Sequence, residues 1–251
     1  MAVEGDVSTT AQATVSVAAL VPFLRLLEDA GADMVVRAAD LSAPCFERHG
    51  IGTTELDARA RLPHALIVEL HEVFVELLGD PSAPLRAGQK LRAGDYELLE
   101  YLCCSTNTLG ESIACLGRYY PLLIQAEHDL VIEGDRAEAR FQIAPGLPAP
   151  DSFHEFALAS NFTMAALHIE VSAEHPPPLP LEVRFTHKAP PYAALFERVF
   201  FAPVSFGQPH NAIVFPVEGL DTPNQRRTAR WNAGGCAKPS WCPISAMPRL
   251  D

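Results

Sequence analysis

The hydrophobic period changes near the middle of the chain, and this change constrains the fold more than any other feature. Before about Leu123, apolar residues recur at spacings of three and four, which is typical of amphipathic helices. After it, short alternating segments are separated by turn residues. Helices segregated from hairpins predict an α+β fold rather than a doubly wound one. We expect a helical N-terminal half, followed by an antiparallel or mixed β-sheet of hairpins with packed helices.

Two helices of the first half have recognisable ends. Pro63 stands at a first-turn position and Gly79 is a C-terminal stop, so a helix is predicted from His64 to Leu78. Thr108 and Glu111 have the spacing of a capping box, in which each side chain satisfies an exposed backbone donor of the other. A further helix is therefore expected to begin there.

Two aspartates are expected to cap helices, because a carboxylate can accept hydrogen bonds from the first free backbone donors. Asp95 precedes a short apolar segment that ends near Leu102. Asp151 precedes a long, nearly uncharged segment that runs to about Glu170.

Two hairpins are expected in the second half. The first joins Leu130–Glu133 to Ala137–Ile143 through Gly134, a residue that tolerates turn geometry. The second joins Pro203–Phe206 to Ala212–Phe215.

The charge and the N-terminal sequence exclude several partners. The net charge of −12 disfavours nucleic acid and anionic membranes, both of which need a basic surface. The chain starts with the acidic, polar segment MAVEGDVSTT, which is not a signal peptide, and it lacks the ~20 apolar residues of a membrane span. We expect a cytoplasmic protein whose six cysteines are thiols.

Sequence motifs for catalysis are missing from this chain. It has no GxGxxG, no Walker loop and no GxSxG, so no enzyme is expected, although an enzyme of unrecognised chemistry stays open as an alternative. His64 and His71 are seven residues apart without further ligands nearby, and we expect neither a metal site nor a cofactor.

A polar stripe on the Asp151 helix is the best candidate site. His154, Asn161 and His168 recur at intervals of seven, which places them on one face of an otherwise apolar helix. This face either lines a pocket for a small molecule or is the solvated side of the helix.

Aromatic residues outside that helix complete the candidate site. Tyr119 and Tyr120 precede Pro121, which should end their helix and could leave them as an aromatic wall. Phe185 is expected in the sheet that faces the stripe. The predicted ligand-binding set is therefore Asn161, His168, Tyr119, Tyr120 and Phe185.

Two stretches resemble a known family. Gly94–Leu123 reads GDYELLEYLCCSTNTLGESIACLGRYYPLL, and Leu181–Asp221 reads LEVRFTHKAPPYAALFERVFFAPVSFGQPHNAIVFPVEGLD. Both are similar to the N-terminal effector-binding, arabinose-binding-type domain of AraC/XylS-family transcription regulators. The resemblance covers roughly Leu62 to Asp221.

The resemblance implies an effector-binding and dimerisation domain over residues 1–221. Such a domain would bind a small organic effector, form a homodimer, perform no catalysis and make no direct contact with DNA. Family members continue into a helix-turn-helix domain, whereas residues 222–251 form a basic segment without an apolar period. We expect this segment to be a disordered or out-of-frame tail of a truncated regulator, with a non-functional relic as the alternative.

Overall fold

The computed structural model describes residues 13–52, 60–169 and 178–224. Its first half is helical, as predicted, with two short antiparallel strands, β1 and β2, in addition. The elements in chain order are β1 Thr14–Ser16, α1 Val21–Ala30, α2 Ala32–Arg48, β2 Arg61–Pro63, α3 His64–Leu78, α4 Ala83–Gly88, α5 Glu97–Cys104 and α6 Leu109–Tyr119.

The second half contains a mixed five-stranded sheet with two helices. Its elements are β3 Ala126–Glu133, β4 Arg136–Ile143, α7 Asp151–His168, β5 Glu182–Arg184, α8 Ala194–Phe200, β6 Val204–Ser205 and β7 Asn211–Pro216. The strand order is β3-β4-β7-β5-β6, and only the β5–β6 pair is parallel. The α+β prediction is confirmed. Within the described ranges, no helix combines the length and the apolar character needed to cross a membrane.

Local sequence signals predicted several helix ends correctly. Helix α3 runs from His64 to Leu78, and Gly79 follows it with a left-handed φ of 62°, which glycine adopts without strain. The Thr108 Oγ1 accepts a hydrogen bond from the Glu111 N–H at 3.3 Å, as a capping box requires. The Glu111 carboxylate accepts its own bond one residue earlier than expected, from the Asn107 N–H at 2.8 Å.

The two predicted aspartate caps are wrong. Asp95 forms an ion pair with Arg25 of α1, so its carboxylate is engaged away from the start of α5. Asp151 is the first residue of α7, and Pro150 occupies the capping position without a side-chain hydrogen bond. Both aspartates lie beside a helix start, yet a competing partner or a one-residue offset prevents the capping contact.

The predicted second hairpin is also wrong. Strand β6 pairs in parallel with β5, where Val204 lies opposite Val183. Strand β7 pairs with β4 on one edge and with β5 on the other. Residues Asn211–Phe215 are all buried, so β7 takes a central position and is separated from its sequence neighbour β6.

Helix α7 is the central element of the core. Nearly all of its residues are buried, which explains why the sequence shows few charges there. Helix α4 packs tightly on it, because a Cβ atom at Gly88 would lie 2.5 Å from the Ala159 Cβ. Helix α6 approaches β3 equally closely, because a Cβ atom at Gly117 would lie 2.3 Å from the His128 carbonyl oxygen. The first contact places α4 beside α7, and the second places α6 beside the sheet.

Packing continues beyond the predicted boundary at Asp221. The Thr222 carbonyl accepts a hydrogen bond from the Leu109 N–H at 2.9 Å. The Asn224 side chain donates to the Thr106 Oγ1 at 2.8 Å and to the Thr108 carbonyl at 3.1 Å. We call Thr222–Asn224 the exit segment. The rest of the predicted tail lies outside the described residues.

Candidate ligand-binding site

A cavity lies between α6, α7 and the strands β3, β4 and β7. Its free volume is about 40 Å³, enough for a few water molecules. Most of the wall is apolar, formed by Leu109, Ile113, Leu116, Ala139, Phe141, Leu158, Phe162, Met164, Ala165, Ile213 and Phe215. The polar part of the wall consists of Cys103, Cys104, Ser112, His128, Asn161, His168 and Asn224. A largely apolar wall with a few polar groups is typical of small-molecule sites.

Asn161 is held in place from behind the cavity wall. The Tyr120 hydroxyl donates a hydrogen bond to the Asn161 Oδ1 at 3.1 Å. Tyr120 is itself buried, and burial raises the pKa of its phenol well above the ordinary value. The phenol therefore stays protonated and fixes the orientation of the amide.

His168, the last residue of α7, is paired with a buried carboxylate. Its Nε2 lies 2.7 Å from the Glu100 Oε1, and Glu100 is 1% exposed. The Gly94 N–H donates to both oxygens of that carboxylate at 2.8 Å. Hydrogen bonds of this kind stabilise a buried charge and restrict its movement.

His128 on β3 lines the cavity and has a buried, unpaired ring nitrogen. Its ring stacks on Tyr120 with centroids 5.8 Å apart, and its Nδ1 has no hydrogen-bond partner in the described part of the chain. Burial lowers the pKa of this imidazole to about 4, so the ring is neutral near pH 7. An unpaired buried polar atom costs about 1–3 kcal/mol, which a ligand could recover by bonding to it.

The structure brings part of the predicted site together. Asn161 and His168 both line the cavity and are 7% exposed, so the alternative of a solvated helix side is wrong. Tyr120 lies directly behind Asn161.

The other stripe and aromatic residues lie elsewhere. His154 is on the same helix but does not line the cavity. Tyr119 is half-buried, with the Arg118 guanidinium 5.6 Å from its ring centroid. Phe185 is fully buried in a separate aromatic cluster, 5.1 Å from the ring of Phe196.

Sequence reasoning missed several polar residues near the cavity, including His128, Glu100, Cys104 and Asn224. His128 occupies an inward position of β3, where an apolar residue would be usual. Glu100 and Cys104 are four residues apart on α5, a spacing that places them on one helix face. Asn224 falls beyond the expected domain boundary. The local sequence marks His128, Glu100 and Cys104 as unusual, but no local pattern shows that they lie against α7.

A second buried polar cluster lies near α8. The Tyr192 hydroxyl donates to the Glu155 carboxylate at 3.0 and 3.1 Å, and burial raises the pKa of Glu155 to about 7. His187 bonds to local backbone through its Nδ1, 2.8 Å from the Lys188 carbonyl. The His187 Nε2 lies 3.5 Å from Glu155, beyond a good hydrogen bond.

The fold and the cavity together define an α+β domain with a candidate small-molecule site. Residues 40–224 match the family described as the arabinose-binding domain of AraC transcription regulators, N-terminal. The chain belongs to this family. The resemblance of its two sequence stretches is thereby confirmed.

Two further proteins are similar to this chain. The ornithine utilization regulator of Pseudomonas aeruginosa is 30% identical over 149 residues, which cover 59% of this chain and 42% of that protein. The chain thus matches less than half the length of this curated relative. The crystal structure of the transcriptional regulator CdpR from Pseudomonas aeruginosa has a similar fold, with a TM-score of 0.51 and 16% identity over 74% of this chain and 56% of that one.

Proposed function

We propose that this chain senses a small organic effector and that the cavity between α6, α7 and the sheet binds it. The unpaired Nδ1 of His128 in a mostly apolar wall is the observation that carries the proposal. Asn161 and His168 would add hydrogen bonds from α7. The family supports a regulatory role without catalysis.

The wall chemistry favours a neutral effector. Among the described residues that line the cavity there is no lysine or arginine, and the imidazole of His128 is neutral near pH 7. A carboxylate placed there would lose its hydration and would meet no lysine or arginine in the described wall. We therefore expect a largely apolar molecule with one or two hydrogen-bonding groups, and weaker binding of ornithine, the compound in the relative's name.

Effector binding would have to widen the cavity. A cavity of about 150 Å³ accommodates benzene, whereas this one has about 40 Å³ free. Met164 on α7 can change rotamer at low cost, because its side chain is unbranched and flexible. Larger molecules would push α6 and α7 apart, which would couple binding to a change of helix packing.

The test is ligand-induced thermal stabilisation with a panel of phenol, indole, benzamide and L-ornithine. A neutral aromatic compound that binds should raise the melting temperature of the parent chain. His128→Phe and Asn161→Leu should reduce this rise to near zero while the variants stay folded. His154→Gln is the matched control, because it changes a polar residue of the same helix outside the cavity.

Two results would count against the proposal. One is that equal stabilisation persists in both cavity variants, which would place binding elsewhere. The other is that ornithine stabilises the parent more than every neutral compound, which would contradict the neutral-effector assignment but not effector binding itself.

We also propose that the domain self-associates. Three exposed apolar side chains, Leu98, Tyr101 and Leu122, lie along one open groove and would be covered in a dimer. Sedimentation analysis of the parent and of Leu98→Glu measures this directly. Val36→Glu, on the exposed face of α2, is the control.

We also propose that the protein is cytoplasmic and does not itself bind duplex DNA. The net charge of −12 repels phosphates, so any contact from a short basic segment would be weak and sensitive to salt. A sequence-specific gel shift at about 0.15 M salt would contradict the proposal that the chain does not bind duplex DNA.

A further inference from the structure

Three potential metal ligands converge beside the cavity. Glu100 and Cys104 lie four residues apart on α5, and His168 ends α7. One ligand atom from each lies within 4.8 Å of the other two. Glu100 and His168 are buried, and Cys104 is half-buried. The three groups thus come from two helices that are far apart in sequence.

The chemical types of the three ligand atoms favour one metal ion over others. A thiolate, an imidazole and a carboxylate together suit Zn²⁺, which binds sulfur, nitrogen and oxygen. Mg²⁺ and Ca²⁺ prefer oxygen ligands alone, so this set disfavours them. The pair Glu100 and Cys104 has the i, i+4 spacing that lets one helix face supply two ligands to one ion.

The observed distances are compatible with an ion. The His168 Nε2 and the Glu100 Oε1 are 2.7 Å apart and hydrogen-bonded. Around tetrahedral zinc, with bonds of about 2.0–2.1 Å, the same two atoms would be about 3.3 Å apart. For this pair the change is therefore about 0.6 Å, within the reach of small side-chain rotations.

The carboxylate is already oriented as a ligand would need to be. The Gly94 N–H donates to both Glu100 oxygens at 2.8 Å. Hydrogen bonds to a ligating carboxylate are a regular feature of metal sites because they fix its direction. Cys104 and His168 both line the cavity, so the fourth zinc position would face its free volume.

We propose that Glu100, Cys104 and His168 form a three-ligand zinc site whose open position faces the cavity. Zinc there would join α5 to the end of α7. The site does not depend on the effector proposed above, because the ion alone is expected to bind. It gives the cavity an acceptor for an additional ligand atom, such as water or a hydroxyl group.

The experiment titrates the full-length chain, stripped of metal, with Zn²⁺ and with Co²⁺ as a spectroscopic probe. We expect one Co²⁺ per chain with a near-ultraviolet thiolate-to-cobalt band and strong visible absorption of tetrahedral geometry. Zinc should displace cobalt and raise the melting temperature by roughly 5–10 °C at about 100 times its Kd.

Isosteric variants identify the ligands. Cys104→Ser should abolish the thiolate band, and His168→Gln and Glu100→Gln should each weaken zinc binding by more than about 100-fold. Cys45→Ser, which changes a buried thiol on α2, is the matched control and should bind as the parent does. A Cys236→Ser/Cys242→Ser double variant tests the two thiols outside the described residues and should also retain the band.

The outcomes are decisive in both directions. A thiolate band that disappears with Cys104→Ser but persists in both controls supports the site. Cobalt spectra without a thiolate band would overturn it, as would zinc affinity unchanged by Cys104→Ser and Glu100→Gln. In that case Glu100 and His168 form a buried hydrogen-bonded pair only. Because Cys104→Ser leaves His128 and Asn161 intact, a loss of zinc binding does not bear on effector binding.

Discussion

Burial shifts the protonation of several side chains far from their usual ranges. It lowers the pKa of His71 to about 3 and that of His128 to about 4, and it raises the pKa of Glu155 to about 7. In each case the neutral form is favoured because the protein interior solvates charge poorly. These residues link the stability of the fold to pH.

Glu155→Gln should stabilise the protein at high pH and leave it unchanged at low pH. The folded-state pKa of Glu155 is raised from 4.5 to about 7, so its contribution is fully present below pH 4.5 and is lost as pH rises through 7. Glutamine stays neutral and avoids that loss. At pH 8 we expect a gain of about 2–3 kcal/mol in the free energy of unfolding.

Urea denaturation at pH 4.5, 6 and 8 measures this difference. The exposed Glu72→Gln on α3 is the control and should follow the parent at every pH. If Glu155→Gln and the parent depend on pH in the same way, the pKa of Glu155 is not raised in the folded protein.

Individual site residues were only partly predictable from sequence. Asn161 and His168 share a face of one helix, so their seven-residue spacing was enough to group them. His168 and Glu100 are 68 positions apart, and their 2.7 Å contact depends on how α5 meets α7. His128 reaches the cavity through strand pairing, which no pattern within β3 specifies.

At the scale of elements, close packing of helices determines where the cavity can form. Helix α4 lies against α7 at Gly88, and α6 lies against β3 at Gly117. Neither position has room for a Cβ atom, so these glycines serve close approach rather than turn geometry. Sequence patterns predicted α6 and α7 but not α4, and they did not reveal which glycines lie at helix contacts.

Gly88→Ala should destabilise the protein although alanine is the better helix former. The new Cβ would lie 2.5 Å from the Ala159 Cβ and 2.9 Å from the Phe156 carbonyl oxygen, so α4 would have to shift away from α7. Overpacking of this kind costs about 1–3 kcal/mol, or roughly 2–12 °C in melting temperature.

Differential scanning calorimetry provides the measurement. Gly52→Ala is the matched control, because a Cβ atom there meets nothing within 4 Å. An unchanged melting temperature in Gly88→Ala would show that α4 and α7 are less closely packed than described.

Strand order shows how far local patterns extend. The β3–β4 hairpin follows from Gly134 and the alternation around it, because both strands and their turn are contiguous. The pairing of β6 with β5 could not be predicted in this way. Strand β7, the sequence neighbour of β6, pairs instead with β4 and β5, and its apolar residues do not specify either partner. Pairing across long separations is settled by the packed sheet as a whole.

At the scale of the whole molecule, the exit segment extends the packed structure beyond Asp221. A chain that ends at Asn224 should melt within a few degrees of the full chain, because residues 225–251 carry three prolines and few core-sized aliphatic side chains. A chain that ends at Asp221 should melt roughly 5–10 °C lower, because it loses the hydrogen bonds of Thr222 and Asn224.

Calorimetry of the two shortened chains distinguishes these expectations. The Asn224→Ala substitution, made in the chain that ends at Asn224, removes only the side-chain hydrogen bonds to Thr106 and Thr108. It should account for part of the difference in melting temperature between the two shortened chains. Equal melting temperatures for both shortened chains would contradict a stabilising role for the exit segment.

The position of Asn224 has a mechanical consequence. The same side chain forms part of the cavity wall and ties the last described residue of the chain to the loop before α6. A rotation of about 5° at this anchor would displace a group roughly 30 Å further along by about 3 Å. Asn224 would thus act as a pivot that turns a change in cavity volume into a change in the direction of whatever is attached to it.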